Sequence, residues 1–148
     1  MPKVDLDNLE QSNRTGYPPP FNEEVAGRWQ KAVGQAAGLT LLGARHVVLE
    51  PGAWSSQRHW HDGEDELLVM LSGRAALIED DGETELVPGD IAAWPKGVRN
   101  GHHLINRGAG PCSFVCVSAG TNTGGGYSDI DMMFTADNGY VHKDGKPY

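Results

Sequence analysis

The sequence predicts an all-β domain of the sandwich or barrel type, on two features of composition and one of pattern. Glycine makes up 20 of the 148 residues, well above the usual share of about 7%, and nine prolines add further breaks. From Leu39 onward, short apolar runs are separated by turn residues, which is typical of many short strands. A chain of this length fits one domain that can bury a substantial core.

Eight candidate strands follow one another from residue 39 to residue 118. The clearest turn among them is DDGE at 80–83, where Gly82 tolerates a positive φ and predicts a tight hairpin. The candidate strands are LTLLGARHVVLE (39–50), SSQRHWH (55–61), ELLVML (66–71), RAALIED (74–80), ETELVP (83–88), DIAAWP (90–95), HHLIN (102–106) and CSFVCVS (112–118).

The segments that flank these strands differ from them in composition. Residues 1–38 contain three consecutive prolines, which favour an extended N-terminal arm. Apolar residues at helical spacing predict a helix over 22–38 with Asn22 as its N-cap, although Gly27 and Gly34 weaken the pattern. Residues 121–148 predict a C-terminal tail that packs on the barrel, and its glycines at 124–126 predict a flexible start.

The charge balance excludes some classes of partner. Acidic residues number 20 and basic residues 12, so the chain carries a net charge of -8, which repels phosphate backbones and anionic lipid surfaces. The first residues lack the apolar core of a secretory signal, and no apolar run approaches the roughly 20 residues of a membrane span. We therefore expect a soluble, cytoplasmic protein that binds neither nucleic acid nor membranes.

The two cysteines, Cys112 and Cys116, lie on one candidate strand. Four residues of strand span about 13 Å, beyond the limit of about 7 Å between bridged Cα atoms, so we expect no intrachain disulfide. This suits a reducing compartment, and both residues are interpreted as small buried apolar side chains.

His59 and His61 are the first candidates for chemistry. On a strand, residues two apart share a face, so both imidazoles point the same way. A reversal over Asp62–Asp65 would bring Glu66 beside them and complete a donor set for a first-row transition metal. The alternative is that these histidines are surface or hydrogen-bonded core residues and that Glu64 and Asp65 are solvated turn acids.

A second cluster lies in GDIAAWPKGVRNGHHLIN, residues 89–106. Together with the first cluster it resembles the cupin superfamily over residues 40–118. The first motif of that family is matched by Gly52, His59, His61, Glu66 and Gly73. The second is matched by Gly89, Pro95, Gly97, His102 and Asn106.

Two spacings depart from the family pattern. Gly52 lies one residue too far from His59, and four residues, VRNG, separate Gly97 from His102. Because the spacing from His102 to Asn106 fits, we expect His102 to be the ligand and His103 to face away. An alternative alignment places Asn100 at the ligand position.

The resemblance implies a jelly-roll barrel, or double-stranded β-helix, over residues 39–120. It also implies one divalent transition metal per chain, Fe, Mn, Ni or Zn, held by His59, His61, Glu66 and His102. YPPPF, GHHLINR and HKDGKPY further resemble small single-domain bacterial cupins, several of which carry names taken from sugar-phosphate isomerases. We expect Asn106 to fix strand packing rather than to bind a ligand.

These observations favour a metal-dependent enzyme that acts on a small polar metabolite by oxygenase, isomerase or lyase chemistry. The alternative is a non-catalytic cupin that binds a small molecule or a metal. Strand parity suggests Gln57 and Met70 as substrate-binding residues, and Arg99 could meet an anionic substrate. A homodimer is also expected, because ELLVML has apolar side chains on both faces and residues 15–30 could reach a neighbouring barrel.

Overall fold

A computed structural model describes residues 3–137 and 139–148, and almost all of its regular structure is β. A 3₁₀ turn at Leu6–Asn8 and one short helix, α1 (Val33–Ala36), precede the barrel. The strands are β1 (Arg28–Lys31), β2 (Leu42–Leu49), β3 (His59–His61), β4 (Glu64–Ser72), β5 (Ala75–Glu79), β6 (Gly82–Leu86), β7 (Ile91–Trp94), β8 (His103–Ile105), β9 (Cys112–Gly120), β10 (Gly125–Tyr127), β11 (Met133–Phe134) and β12 (Tyr140–Val141).

The strands form three antiparallel sheets that make up a jelly-roll barrel. One sheet has the order β1-β2-β9-β4-β7, and the others have the orders β12-β11-β10-β3 and β6-β5-β8. The last two are joined by backbone pairing of His59 with His102 and of Trp54 with Ile105. This arrangement confirms the predicted all-β barrel.

Strand β4 shows how the alternating sequence positions the core. Leu68 and Met70 are buried against Phe114 of β9, whereas Leu67 and Leu71 on the opposite face are exposed. The turn predicted at DDGE is present, because β5 and β6 pair up to Glu79 and Gly82, and Gly82 has a φ of 128°. Interior residues of β4 therefore point toward the space between the sheets.

The helix predicted over 22–38 is wrong for most of its length. Residues 28–31 form strand β1, in which Trp29 pairs with Val48, and only Val33–Ala36 is helical. Pairing with the open edge of β2 satisfies backbone groups along this segment and overrides its weak helical preference. The extended N-terminal arm predicted over residues 1–38 is not confirmed for this segment, because β1 pairs with β2 in the sheet.

The glycine stretch predicted to be flexible is buried strand β10. Gly125 pairs with His61, and Gly126 pairs with Trp60. A Cβ atom on Gly125 would lie 2.0 Å from the carbonyl oxygen of Trp60. These glycines let the C-terminal segment approach the histidine strand closely.

The substitution Gly125→Ala is expected to destabilise the fold by roughly 1–3 kcal/mol, because the new methyl group collides with backbone as well as with the ring of Phe134. Chemical denaturation measures this loss. Gly110→Ala is the matched control, since nothing lies within 4 Å of a Cβ at that position. Equal stability of the two variants would contradict the close approach of β10 to β3.

Two further expectations concern the cysteines and membranes. Cys112 and Cys116 are both free thiols, as the strand geometry predicts. Among residues 3–137 and 139–148, no helix has the length and apolar character required to cross a membrane.

Candidate metal centre

His59 and His61 project from β3 toward the interior of the barrel. Their Nε2 atoms are 3.1 Å apart. The Nδ1 atom of His59 lies 3.0 Å from the carbonyl oxygen of Gln57, to which it donates, and this leaves Nε2 unprotonated on the cavity side. A backbone partner on the second ring nitrogen is typical of a metal-binding histidine.

Glu66 joins the two histidines from a different sheet. The chain passes from β3 to β4 through Asp62 and Gly63, and the two strands do not pair with each other. Glu66 Oε2 nevertheless lies 3.5 Å from His61 Nε2. The ligand atoms of His59, His61 and Glu66 all lie within 4.8 Å of one another, as the sequence predicted for a metal site.

His102 reaches the same cluster through the backbone pair that joins the two motifs. His59 and His102 exchange N–H···O bonds of 3.2 and 2.9 Å, so their side chains share a face. His102 Nε2 lies 2.9 Å from Glu66 Oε2, and the ring of Trp94 stacks on the imidazole at 3.8 Å. His103 instead bonds the Ser56 carbonyl oxygen through Nδ1 and faces Trp54.

The protonation states of His59 and Glu66 suit the binding of a cation. Burial opposes a charge on His61, but the nearby carboxylates of Glu66 and Glu64 raise the pKa of its ring. Burial, reinforced by the charge of His102, lowers the pKa of His59 to about 3, so this ring is neutral at physiological pH. Burial opposes the charge on Glu66, but hydrogen bonds from His102 and His61 hold the pKa of Glu66 well below its usual value. The cluster thus offers one anionic oxygen and at least one neutral imidazole nitrogen.

The donor set fits a divalent transition metal. Ligand atoms about 2.1 Å from a common ion are separated by about 3.0 Å in octahedral and 3.4 Å in tetrahedral arrangements. The distances of 3.1 and 3.5 Å from His61 Nε2 to His59 Nε2 and Glu66 Oε2 lie close to this range. His102 Nε2 lies 2.9 Å from Glu66 Oε2, but it does not belong to the group of ligand atoms that all lie within 4.8 Å of one another. His102 Nδ1 is buried without a hydrogen-bond partner among the described residues, so its second nitrogen lacks the usual support.

Cys116 is a site residue that sequence reasoning missed. It pairs with Leu68 across β9 and β4, and its thiol donates to Glu66 Oε1 at 2.8 Å. Burial and the Glu66 carboxylate raise the pKa of Cys116 well above its usual value, so the thiol keeps its proton. Only the register of β4 against β9 reveals this contact.

We expect Cys116→Ala to weaken metal affinity by about 10- to 100-fold, the usual cost of removing a partner that orients a ligand. Competition with a fluorescent chelator measures the affinity. Cys112→Ala is the control, because Cys112 lies in the apolar core. Unchanged affinity in the Cys116 variant would contradict a positioning role.

A cavity of about 300 Å³ opens beside this cluster. Aromatic and arginine side chains line it together with the donor set, so the histidines face a space that a ligand can enter. Lining residues outside the donor set include Tyr17, Arg28, Arg45, Trp94, Cys116, Tyr127, Phe134 and Tyr140.

Gln57, Met70 and Arg99 are not among the described residues that line this cavity. Gln57 precedes β3 and donates to Phe21 O and Glu24 Oε2, because the strand begins only at His59. Met70 has the predicted parity but packs in the core, with 1% of its surface exposed. The guanidinium of Arg99 lies over the Trp60 ring, on the other face of β3.

The fold and this cluster define a small jelly-roll protein with a mixed histidine and glutamate centre. A model of the cupin domain matches residues 45–118. The chain is also 42% identical to a structure from Silicibacter pomeroyi DSS-3, described as a sugar phosphate isomerase from a cupin superfamily. That match covers 99% of this chain and 96% of that one, with a TM-score of 0.94. The protein belongs to the cupin family.

More distant structures share the fold alone. One from Acidithiobacillus ferrooxidans has 23% identity and a TM-score of 0.72, and the match covers 82% of this chain and 80% of that one. The polyketide cyclase RemF from Streptomyces resistomycificus has 16% identity and a TM-score of 0.71, with 88% and 87% of the two chains covered. Comparison with curated proteins finds no match.

Proposed function

We propose that this cupin is a metal-dependent enzyme that acts on a small polar metabolite. His59, His61, Glu66 and His102 would hold one divalent transition metal per chain, with Fe, Mn, Ni and Zn as candidates. The observation that carries the proposal is that the donor set faces an open cavity of about 300 Å³ rather than closed packing. A structural metal site is normally closed by protein ligands, whereas a catalytic one leaves room for substrate.

A bound ion would polarise a carbonyl or hydroxyl oxygen of the substrate. The chain's own residues set up the site. The Gln57 carbonyl fixes the ring of His59, the Cys116 thiol holds Glu66 Oε1, and Trp94 fixes the ring of His102. Phe134 contacts His61 and Tyr127 contacts His59, which narrows the access of water to the histidine pair.

Among the oxygenase, isomerase and lyase types, isomerase chemistry has specific support. The structure from Silicibacter pomeroyi, 42% identical over nearly the whole chain, is described as a sugar phosphate isomerase. Isomerisation of a sugar moves hydrogen within one molecule and needs no oxidant. The second candidate is a cupin that binds a metabolite or a metal without turnover, which the aromatic lining of the cavity favours.

Elemental analysis of protein purified without added metal or an affinity tag comes first. The metal-loaded protein is then incubated with phosphorylated aldoses and ketoses in D₂O and followed by proton NMR. Metal-dependent interconversion of aldose and ketose, absent in His61→Ala, supports the isomerase, and deuterium in the product distinguishes proton exchange with solvent from direct hydrogen transfer. Oxygen uptake with a substrate redirects the proposal to oxygenase chemistry. Bound metal and ligand without turnover support the binding module.

We also propose a homodimer that uses the outer apolar face of the largest sheet, which consists of Leu67, Val69, Ile91, Val115 and Val117. This face consists of paired side chains from three strands, and Ile91 is 64% and Leu67 39% exposed. Residues 17 and 25, within the segment expected to reach a neighbour, are instead buried in their own chain.

The substitution Ile91→Glu is expected to convert the dimer to a monomer, because it places a charge within the buried contact. Static light scattering at micromolar concentration measures the mass. Leu41→Glu is the control, since Leu41 is 89% exposed and lies outside the outer apolar face. A monomeric wild-type protein would refute the dimer.

The free thiols of Cys112 and Cys116 support a reducing, cytoplasmic compartment as part of the same proposal. The net charge of -8 supports a small-molecule ligand rather than nucleic acid or a membrane surface.

A further inference from the structure

We propose that Arg28 and Arg45, with the hydroxyls of Tyr17, Tyr127 and Tyr140, form an oxyanion subsite in the cavity. We call these five residues the arginine wall. The subsite binds a carboxylate or phosphate group of the substrate. Other oxygen atoms of the same substrate then face His59, His61, Glu66 and His102, which we call the metal-ligand cluster. The inference deepens the proposed function, because it assumes that this cavity receives the substrate.

Arg28 is a partly buried cation without a carboxylate partner among the described residues. Its Nη1 donates to the Ser55 carbonyl oxygen at 2.8 Å, and its Nη2 donates to the Arg14 carbonyl oxygen at 3.3 Å. Its Nε atom is buried with no hydrogen-bond partner in the part of the chain that the structure describes. Arg28 thus lines the cavity as a cation whose charge no described carboxylate balances.

Arg45 reaches the cavity from a different strand. It pairs with Cys116 across β2 and β9, and residues opposite each other in an antiparallel pair share a face. Arg45 thus lies on the interior face of the sheet, and this solvent-exposed residue lines the cavity. The described arginines that form ion pairs are Arg58, Arg74 and Arg107, all of which pair away from this cavity.

The charge in the cavity contrasts with the charge of the whole chain. The protein carries -8, yet the described residues that line the cavity include two arginines and one carboxylate, Glu66. Glu66 is already engaged by His102 and by the Cys116 thiol. Glu66 therefore does not neutralise Arg28 or Arg45, and the two guanidinium groups attract an anion from outside the chain.

The tyrosines add neutral hydroxyls beside the arginines, and the hydroxyls of Tyr17 and Tyr140 each form a hydrogen bond with that of Tyr127. Burial raises the pKa of Tyr17 to about 12, and burial also raises the pKa values of Tyr127 and Tyr140. All three hydroxyls therefore keep their protons at neutral pH. Tyr127 connects the two parts of the cavity, because its ring centroid lies 5.9 Å from that of His59 and 5.7 Å from that of Tyr17.

The arrangement defines a class of ligand. Guanidinium groups bind carboxylates and phosphates through paired hydrogen bonds, and tyrosine hydroxyls donate to the same oxygens. A cavity of about 300 Å³ lies at the low end of the usual range for small-molecule sites, about 300–1,000 Å³. The ligand is therefore a small molecule with an oxyanion and hydroxyl or carbonyl oxygens.

Isothermal titration calorimetry at low ionic strength tests this with inorganic phosphate and with malonate. Both probes are titrated into metal-free and metal-loaded protein, and the metal content of each sample is measured. We expect saturable binding of at least one anion to metal-free protein. Arg45→Gln should weaken this binding by about tenfold or more, since a charged hydrogen-bonding partner is lost. The preferred probe distinguishes phosphate from carboxylate ligands.

Arg28→Gln is the second variant, and Arg74→Gln is the matched control, because Arg74 pairs with Glu85 on the surface. Unchanged anion affinity in both cavity variants, or no saturable binding of either probe, would overturn the subsite. If the Arg45→Gln or Arg28→Gln variant loses anion binding but keeps its full metal content, the loss is assigned to the arginine wall. A protein that binds the anion through these arginines but holds no metal would refute the proposed function and leave the subsite standing.

Discussion

Replacement of His61 with alanine is expected to remove stoichiometric divalent metal from the protein. The loss of a group that merely orients a ligand already costs about 10- to 100-fold in affinity, so loss of a ligand costs more. His61 Nε2 lies 3.1 Å from His59 Nε2 and 3.5 Å from Glu66 Oε2, which places it between the other donors. Elemental analysis of the purified variant measures the effect, and circular dichroism verifies that it is folded.

His59→Ala should show the same loss, because both rings belong to the cluster. His142→Ala is the control for removal of an imidazole elsewhere, since His142 pairs with Asp131 near the C-terminus. His103→Gln tests the neighbour of His102, and we expect its metal content to match that of the wild type. Full metal in both His59→Ala and His61→Ala would rule out this centre.

The substitution Asn106→Asp is expected to lower the free energy of unfolding by roughly 2–5 kcal/mol at neutral pH. Asn106 is fully buried, and its Nδ2 donates to the carbonyl oxygens of Leu49 and Gly110, both at 2.9 Å. Aspartate has nearly the same shape but replaces this donor with an acceptor. Two carbonyl oxygens then lose their partner and face a buried carboxylate.

Urea denaturation measures the loss. Asn13→Asp makes the same chemical change at an exposed position, where Asn13 donates a single hydrogen bond of 3.2 Å to Ala26. That control should change stability by less than about 0.5 kcal/mol. If the two variants were equally stable, Asn106 would not be the residue that fixes β8 to the end of β2.

The positions of His59, Glu66 and His102 show which parts of the site the alternation of side chains and the motif spacing could predict. Alternation along a strand predicted that His59 and His61 share a face, and their Nε2 atoms do meet. The family spacing selected His102 over His103, and only His102 contacts Glu66. The same alternation wrongly placed Gln57 on the face of His59 and His61. Residues 55–58 are not part of a strand, so their side chains do not alternate between two faces.

Segments with weak local preferences were decided by their partners. Residues 28–31 belong to a segment, 22–38, in which apolar residues recur at helical spacing, yet they form a strand that pairs with the open edge of β2. The glycines at 124–126 have the composition of a flexible linker, but the absence of side chains is what lets Gly125 lie against Trp60. In both places a long-range contact outweighs a preference of a few tenths of a kcal/mol per residue.

The sequence by itself predicted the barrel, most of its strands and the grouping of His59, His61 and Glu66, which could hold an ion. Side-chain alternation and turn chemistry, on which much of this depends, are local properties. Only the tertiary structure brought Cys116 to Glu66 and gathered Arg28, Arg45 and Tyr127 around one cavity. These residues come from strands far apart in the chain. Their proximity depends on the register between β2, β9 and β4 and on closure of the barrel, and no short stretch of sequence encodes either.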